Sequence, residues 1–270
     1  MTGPVIGMRP GDELAGQVAI VTGGAKNIGR AIARSLAAGG AAVMVNAVTS
    51  LAEAAETAEQ IQAAGGRAEV FAADVRDHAA VAAMVSATVA RFGRLSVLVN
   101  NHTYRHTTPI DELSLTEWQT MIDVVLTGVF HTMRAAVPQL RAAGGGSIVN
   151  IGGMSTHVGY RGGASRSAAK AGVEGLTRAA ALDLAGYGIT VNCVAPGAID
   201  TIPDPRTRHG TMTDGGTGGA LTHGPGGERI PAGRKGQPEE IAAMVRMLCG
   251  PDARYVTGQT IHVNGGALRP

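Results

Sequence analysis

The stretch that decides the fold is Gln17-Val-Ala-Ile-Val-Thr22, followed directly by Gly23-Gly-Ala-Lys-Asn-Ile-Gly29. The first six residues predict a buried strand, and the glycine-rich run after it predicts a tight turn that opens a helix. Such a turn lets the backbone approach a pyrophosphate, which the positive end of the helix dipole then stabilises. The stretch therefore predicts a nucleotide-binding α/β unit, although a glycine-rich turn alone is a weak signal.

Short β-branched runs alternate with alanine-rich helical stretches along the rest of the chain. Strands that are apolar on both faces and joined by helices predict a parallel sheet covered on both sides. Right-handed crossovers then give a doubly wound Rossmann sheet of about seven strands. The predicted strands are 17–22, 41–46, 67–72, 96–100, 147–151, 189–195 and 260–263, and the predicted helices are 28–38, 51–64, 78–92, 117–142, 163–185 and 238–249.

The length and composition indicate one soluble domain that spans residues 1–270. Lys and Arg number 23 against 21 Asp and Glu, and the basic residues are scattered, which argues against a nucleic-acid partner. Cys193 and Cys249 are isolated in apolar segments, so we expect buried thiols and no metal site. Only three of the 23 basic residues are lysines, and this bias together with abundant Ala and Gly indicates a high-GC bacterial genome.

Targeting and membrane signals are missing from the sequence. The first 14 residues lack the basic-then-apolar profile of a signal peptide. Glycines and polar residues interrupt the longest uncharged stretch, 35–52, which therefore does not predict a membrane span. We expect a cytoplasmic protein.

One segment, 202–234, breaks the alternation because it is rich in Gly, Pro and Thr and has little periodicity. A connection of this length inside a compact domain is usually a functional lid or a disordered segment. We expect a substrate-loop or lid insertion, and plain disorder is the alternative.

Further motifs at ordered positions make the chain resemble the short-chain dehydrogenase/reductase family over about residues 14–268. Residues 163–172, Gly-Ala-Ser-Arg-Ser-Ala-Ala-Lys-Ala-Gly, are similar to the family's catalytic helix, whose signature is Tyr-x-x-x-Lys. The glycine-rich turn resembles the family's Thr-Gly-x-x-x-Gly-x-Gly, with Asn27 in place of the middle glycine. The resemblance implies a single Rossmann domain that forms a homotetramer or homodimer and acts on a small molecule.

The resemblance also implies the residues that bind a dinucleotide. The family's adenine-contacting pair, the asparagine after the fourth strand, and the loop that holds the nicotinamide carboxamide all have counterparts here. The implied cofactor-binding residues are Gly23, Lys26, Asn27, Ile28, Gly29, Asn46, Asp74, Val75, Asn101, Lys170, Pro196, Gly197, Ile199 and Thr201.

The choice of nucleotide depends on the end of the second strand. NAD enzymes place a carboxylate there for the ribose 2′-hydroxyl, whereas this chain has the neutral Asn46. Lys26 in the glycine-rich turn is positioned to meet a 2′-phosphate, with Thr49 or Ser50 donating hydrogen bonds. NADP is therefore favoured over NAD, and the alternative is that Lys26 is only a solvated loop lysine.

The catalytic positions depart from the family's Asn, Ser, Tyr and Lys. Arg166 stands where the tyrosine is expected, and a guanidinium cannot be deprotonated in a protein. The serine and asparagine positions align with Gly153 and Val125, so only Lys170 remains. This alignment predicts an atypical member in which ordinary ketone reduction is impaired.

Other polar side chains are expected where the family has its pocket. The candidate catalytic residues are Lys170, Arg166, His102, Tyr104, His157 and Tyr160. Arg166 and Lys170, one helical turn apart, predict a cationic patch suited to an enolate, carboxylate or phosphate. The alternatives are that the histidines are surface residues, that the tyrosines only line the pocket, and that Arg166 points outward to a carboxylate.

Three functions fit the sequence. The first is a non-redox enzyme of a specialised bacterial pathway (a cyclase, isomerase, dehydratase or lyase) that acts on a small carbonyl or enolisable substrate by proton transfer and anion stabilisation. The second is an NADPH-dependent ketoreductase with His102, Tyr104, His157 or water as a substitute acid. The third is a non-catalytic partner subunit, which the retained cofactor turn disfavours.

Overall fold

The seven strands of the protein form one parallel sheet in the order β3-β2-β1-β4-β5-β6-β7 in a computed structural model, which describes residues 11–202 and 229–269. This is the doubly wound Rossmann architecture predicted from the sequence, and the prediction is confirmed. The strands are β1 Val18–Thr22, β2 Ala42–Ala47, β3 Arg67–Ala72, β4 Val97–Asn100, β5 Gly146–Ile151, β6 Ile189–Pro196 and β7 Thr260–Val263.

Helices cover both faces of the sheet. They are α1 Asn27–Ala38, α2 Leu51–Ala63, α3 His78–Phe92, α4 Leu115–Ile122, α5 Gly128–Ala142, α6 Ser155–Val158, α7 Ala164–Leu184 and α8 Pro238–Cys249. The predicted lid, 202–234, falls largely on residues 203–228, which lie outside the described residues, and it stays a prediction.

Alternating side chains of each strand supply two separate cores. Val21 of β1 and Val45 of β2 pack into the core that α1 and α8 cover, whereas Ile20 and Met44 pack into the core on the opposite face. Successive residues of a strand point to opposite faces, so a strand buried on both sides must be apolar throughout. Every residue of β1, β2, β4 and β5 is buried, while the edge strands β3 and β7 are partly exposed.

The long helix predicted over 117–142 is interrupted, so that part of the prediction was wrong. A π-helical turn, Asp123–Thr127, joins α4 to α5. Apolar spacing does not mark such a turn, because one extra residue per turn leaves the apolar pattern on either side intact. Where α5 begins, a Cβ built on Gly128 would lie 2.7 Å from Val75 Cγ2 and 3.0 Å from His102 Nε2. The interruption therefore lies against the carboxyl edge of the sheet.

Residues Leu115–Ala142 form a helical segment long and apolar enough to cross a membrane, by length and composition only. In the folded chain α5 packs against α3, β4 and β5, so the segment is a core helix of the domain. Its apolar composition is explained by burial against the sheet.

Gly128 and Gly175 offer a matched test of the packing around the π-helical turn. Gly128→Ala should lower the free energy of unfolding by about 1–3 kcal/mol, because the new methyl group overlaps Val75 and His102. Gly175→Ala, on α7 with nothing within 4 Å of the new Cβ, should raise it by roughly 0.5–1 kcal/mol through helix propensity. Urea titration of both variants measures the two shifts, and equal signs would contradict the packing described.

Candidate active site

The glycine-rich turn between β1 and α1 has the backbone shape that a pyrophosphate needs. Gly23 has φ +61°, and Asn27 has φ +50°, the only positive φ of a non-glycine residue in 11–202 and 229–269. A Cβ built on Gly29 would lie 2.1 Å from the Gly23 carbonyl oxygen. Glycine at 29 is therefore required by the turn itself, and asparagine at 27 is one of the few other residues that tolerates the left-handed conformation. The turn fits a dinucleotide.

Asn101 fastens this turn to the end of β4. Its Nδ2 donates to the carbonyl oxygens of Thr22 at 3.1 Å and Gly23 at 2.9 Å, and its backbone N–H donates to the Thr22 hydroxyl at 3.0 Å. Strands β1 and β4 are the neighbours between which the strand order reverses. Ligands of doubly wound sheets bind in the crevice at that reversal.

Asn27 connects the same turn to the loop after β6. Its Nδ2 donates to the Ile202 carbonyl at 3.0 Å, and the Ile202 N–H donates to its Oδ1 at 2.9 Å. The implied nicotinamide-loop residues begin with Pro196, the last residue of β6, and continue through Gly197, Ile199 and Thr201 to the residue before Ile202. The predicted cofactor residues from these two loops therefore come together at one edge of the sheet.

Three other predicted cofactor residues already have partners within the chain. Asn46 is buried, and its Nδ2 donates to the carbonyl oxygens of Phe71 and Ala73 beside β3, so its side chain is held inside the sheet. Lys26 Nζ lies 3.3 Å from Glu53 Oε1, and both side chains are partly exposed. The Arg76 guanidinium binds both oxygens of Asp74 and lowers the pKa of that carboxyl.

Helix α7 brings Arg166 and Lys170 to the carboxyl edge of the sheet, one turn apart. Lys170 is buried, and its Nζ donates to the carbonyl of Ile151 at the end of β5. Burial, followed by the positive charge of Arg166, lowers the pKa of Lys170 to about 8, and Arg105 adds to this effect. An ammonium group with such a pKa exchanges its proton near neutral pH.

Arg105, which was not among the predicted site residues, joins this cationic group. Burial and then the charge of Arg166 lower the pKa of the Arg105 guanidinium. Arg166 Nε is buried and has no hydrogen-bond partner among the described residues. The Arg166 guanidinium therefore lies close enough to Lys170 and Arg105 to lower the pKa of both.

His102 occupies a buried position behind the glycine-rich turn. Its Nδ1 lies 2.7 Å from the Thr22 hydroxyl, and the ring also interacts with the backbone of Val124. Burial and then the charge of Lys170 lower the pKa of His102 to about 3, so the ring is neutral at physiological pH. A neutral, enclosed imidazole suits packing and the Thr22 hydrogen bond better than proton donation.

The two predicted tyrosines lie on different sides of the site. Tyr104 packs against Met121, Val125 and Ala169 and stacks on His106, whose Nε2 contacts Glu117 Oε1 at 2.6 Å. Tyr160 lines a cleft of about 460 Å³ and lies close enough to Arg105 for the two groups to interact electrostatically. Tyr160 is therefore the better placed of the two to touch a substrate. The remaining lining residues of the cleft are Pro109, Ile110, Asp111, Gly159, Arg161, Gly162, Gly163, Ala164 and Ser167.

His157, on the short helix α6, belongs to a separate polar cluster. Its Nε2 lies 3.4 Å from Glu174 Oε2 on α7, and its ring meets that of His262 on β7 edge to face at 4.9 Å. Glu174 is buried and accepts a hydrogen bond from Thr156 at 2.8 Å. The cluster ties α6 to α7 and thereby positions the loop that starts at Gly153.

Ser155 is a further site residue that the sequence analysis missed. Its Oγ lies 3.6 Å from the position that a Cβ on Gly153 would occupy, which is where the family's serine is expected. A hydroxyl two residues further along the chain thus reaches nearly the same place. The sequence does contain a serine two residues after the expected position. Only the start of α6 at Ser155 shows that its hydroxyl lies beside Gly153.

Residues 11–202 and 229–269 contain no group of three or more His, Cys, Asp or Glu that could hold a metal ion. Cys193 and Cys249 are both buried thiols. Burial raises the pKa of each thiol to about 12, so neither forms a thiolate at neutral pH.

The reversal point, the glycine-rich turn and the buried lysine on α7 together define a dinucleotide-binding enzyme of the Rossmann class. A protein family described as "Enoyl-(Acyl carrier protein) reductase" matches residues 23–267. The chain belongs to the short-chain dehydrogenase/reductase family, whose members use NAD or NADP.

Similar proteins cover almost the whole chain. A 3-oxoacyl-[acyl-carrier-protein] reductase of Synechocystis sp. is 40% identical over 256 residues, 94% of this chain and 98% of that protein. The cis-4-hydroxycyclohexanecarboxylate dehydrogenase of Sinomonas cyclohexanicum is 39% identical over 260 residues, 95% and 98% of the two chains. The crystal structure of a dehydrogenase/reductase from Sinorhizobium meliloti 1021 superposes with a TM-score of 0.85 at 37% identity, covering 95% of this chain and 96% of that one.

Proposed function

We propose that the protein is a cytoplasmic NADP(H)-dependent oxidoreductase that interconverts a carbonyl group and an alcohol, with Lys170 as the proton donor. The observation that carries the proposal is the buried Lys170, whose pKa of about 8 gives it an exchangeable proton. The oxidoreductase relatives support the redox reaction, which reverses the order of the two enzymatic hypotheses drawn from the sequence.

The expected loss of the family's tyrosine and serine changes which groups handle the carbonyl oxygen. The glycine-rich turn would hold a nicotinamide cofactor at the sheet edge, and that cofactor would be the source of hydride for the carbonyl carbon. The Lys170 ammonium gives its proton to the oxygen, and the Ser155 hydroxyl donates a hydrogen bond to the same atom. A positioned acid contributes a factor of about 10²–10⁴ in rate. Lys170 in the role of the expected tyrosine would keep this contribution, whereas a site without any acid would lose it.

The cofactor residues have distinct tasks in this proposal. The glycine-rich turn and the amino end of α1 hold the pyrophosphate, and Asn101 and Asn27 keep that turn in place. Lys26 meets a 2′-phosphate, and Asn46 supports NADP indirectly because it leaves no carboxylate at the end of β2. The adenine contacts of Asp74 and Val75 stay a prediction.

A second function is favoured by one specific observation, the meeting of Arg105, Arg166 and Lys170. Three neighbouring cations would stabilise an enolate formed by proton removal, without net redox. The two functions separate in one assay that follows product and NADPH absorbance together. Product formed in proportion to NADPH consumed supports the oxidoreductase, and product formed without any change in NADPH supports the enolate reaction.

The apolar side chains exposed on α4 and α5 lead us to propose a homodimer or homotetramer. Leu115, Phe130 and Trp118 are 86%, 46% and 37% exposed, on the helical segment whose composition is otherwise that of a core. Large exposed apolar side chains on consecutive helices are typical of a surface that another chain covers.

The proton-donor proposal predicts how the reaction rate depends on pH. The folded pKa of Lys170 is lowered to about 8, so the group is protonated below that pH and loses its proton above it. The kcat/KM of carbonyl reduction should be flat below pH 8 and fall about tenfold per pH unit above it. Lys170→Met should lower kcat by about 10²–10⁴-fold, and calorimetry should still detect binding of NADPH to this variant.

Tyr160→Phe is the matched control for the pH profile of kcat/KM. It removes the phenol hydroxyl near Arg105, which is another group that could donate the proton. The variant should keep the same fall above pH 8. A fall that disappears in Tyr160→Phe would assign the proton to the phenol and contradict the role given to Lys170.

The choice of cofactor is tested by two substitutions with opposite expected effects. The wild type should bind NADPH more tightly than NADH. Lys26→Gln should weaken NADPH binding by about tenfold, equivalent to roughly 1.4 kcal/mol, and leave NADH unchanged. Glu53→Gln should strengthen NADPH binding, because the carboxylate paired with Lys26 also repels the phosphate. Calorimetric titration of the wild type and both variants measures these affinities, and equal affinity of the wild type for both cofactors would argue against the proposed role of Lys26.

The assembly proposal is tested by charge placed on the exposed apolar surface. A Leu115→Glu, Phe130→Glu double variant should elute as a monomer, whereas Leu51→Glu on the other face of the sheet should leave the assembly intact. Light scattering after size exclusion gives the masses. A wild type that is already monomeric would refute the proposal.

A further inference from the structure

The charges around Arg105, Arg166 and Lys170 indicate what kind of ligand the site binds. No carboxylate forms an ion pair with Arg105, Arg166 or Lys170 within residues 11–202 and 229–269. Arginines elsewhere do pair with acids: Arg30 with Glu56, Arg76 with Asp74, Arg91 with Glu69, Arg234 with Glu240, and Arg246 with Glu13. Within the described residues, Arg105 and Arg166 are among the arginines that make no ion pair with an acid.

The nearby acids that face this region are already used by other groups. Glu117 contacts His106 and caps α4 through Ser114. Glu174 is held by Thr156 and His157. Asp111 is exposed where it lines the cleft. The positive charge of the site is therefore not neutralised by the described chain.

Keeping these cations together is unfavourable for the protein without a ligand. Burial and mutual repulsion both act against the charge on Arg105 and Lys170. Buried charges in proteins are normally paired, because an unpaired one loses hydration without compensation. The buried, unpartnered Nε of Arg166 is a donor without an acceptor. An anion bound between the arginines supplies both the charge and the acceptor.

We propose that Arg105 and Arg166 bind the carboxylate of the substrate, so that the protein reduces a short oxo acid or oxidises the corresponding hydroxy acid. A guanidinium binds a carboxylate through two parallel hydrogen bonds, which an ammonium group does not do. Arg166 precedes Lys170 by one turn, and side chains so spaced lie about 5–6 Å apart at Cβ. The carboxylate is thus held a few bonds from the carbonyl that Lys170 protonates. This inference rests on the proposed oxidoreductase function.

The experiment compares acetoacetate with its methyl ester, which has the same carbonyl without the negative charge. Calorimetry on the full chain, with and without saturating NADPH, should show acetoacetate binding at least 30-fold more tightly than the ester. An ester that binds as tightly as the acid would overturn the proposal. The comparison needs no variant, and it measures binding, so an absence of NADPH turnover would refute the proposed function while leaving the anion site standing.

Variants then assign the site to the two arginines. Arg105→Gln and Arg166→Gln should each weaken acetoacetate binding by at least tenfold and leave ester binding within twofold. Arg161→Gln removes an exposed positive charge from the lining of the cleft that contains Tyr160 and should change neither. Unchanged acetoacetate binding in both Arg105→Gln and Arg166→Gln would overturn the assignment.

Thermal unfolding gives a second readout that does not depend on the variants folding. The wild type should unfold at a higher temperature with acetoacetate than with an equal concentration of the ester, since a ligand that binds only the folded state stabilises it. No difference between the two additions would count against the carboxylate site.

Discussion

The bonds of Asn101 to the carbonyl oxygens of Thr22 and Gly23 are the interaction on which the site depends. They connect the end of β1 to the residue after β4, at the point where the strand order reverses. In this way they hold the glycine-rich turn at the crevice. Because that turn is fixed, Asn27 can in turn hold the loop after β6. The cofactor loops are thus positioned by amide side chains, with few charges involved.

Charge is concentrated instead on the substrate side of the crevice. Lys170 is buried at the end of β5, and the neighbouring guanidinium groups of Arg166 and Arg105 make its proton easier to lose. The same repulsion that lowers the pKa of Lys170 also makes it unfavourable to bring the three cations together. An acid for the reaction and a binding site for an anion therefore have one physical origin, a buried lysine beside two partly buried arginines with which no described carboxylate forms an ion pair.

Two features of the site show how tertiary packing replaced side chains that the family's pattern led us to expect. Ser155 reaches the position beside Gly153 only because α6 begins there, and the buried Glu174, with His157, holds that helix against α7. His102, expected to be a candidate base, is instead enclosed behind Thr22 and is neutral. The sequence positions of Ser155 and His102 placed both residues near the expected pocket. The directions of their side chains in the fold decided what each residue can do.

The sequence by itself determined the doubly wound parallel sheet and the glycine-rich turn, because apolar runs on strands and glycines in a turn act through local geometry. It also indicated that Arg166 and Lys170 share a helix face. Only the tertiary structure decided that Arg105 joins them, that Asn46 bonds inside the sheet, and that a π-helical turn interrupts the helix predicted over 117–142. These features depend on contacts between residues far apart in the chain, such as Gly128 against Val75 and His102, and such contacts leave no periodic signal in the sequence.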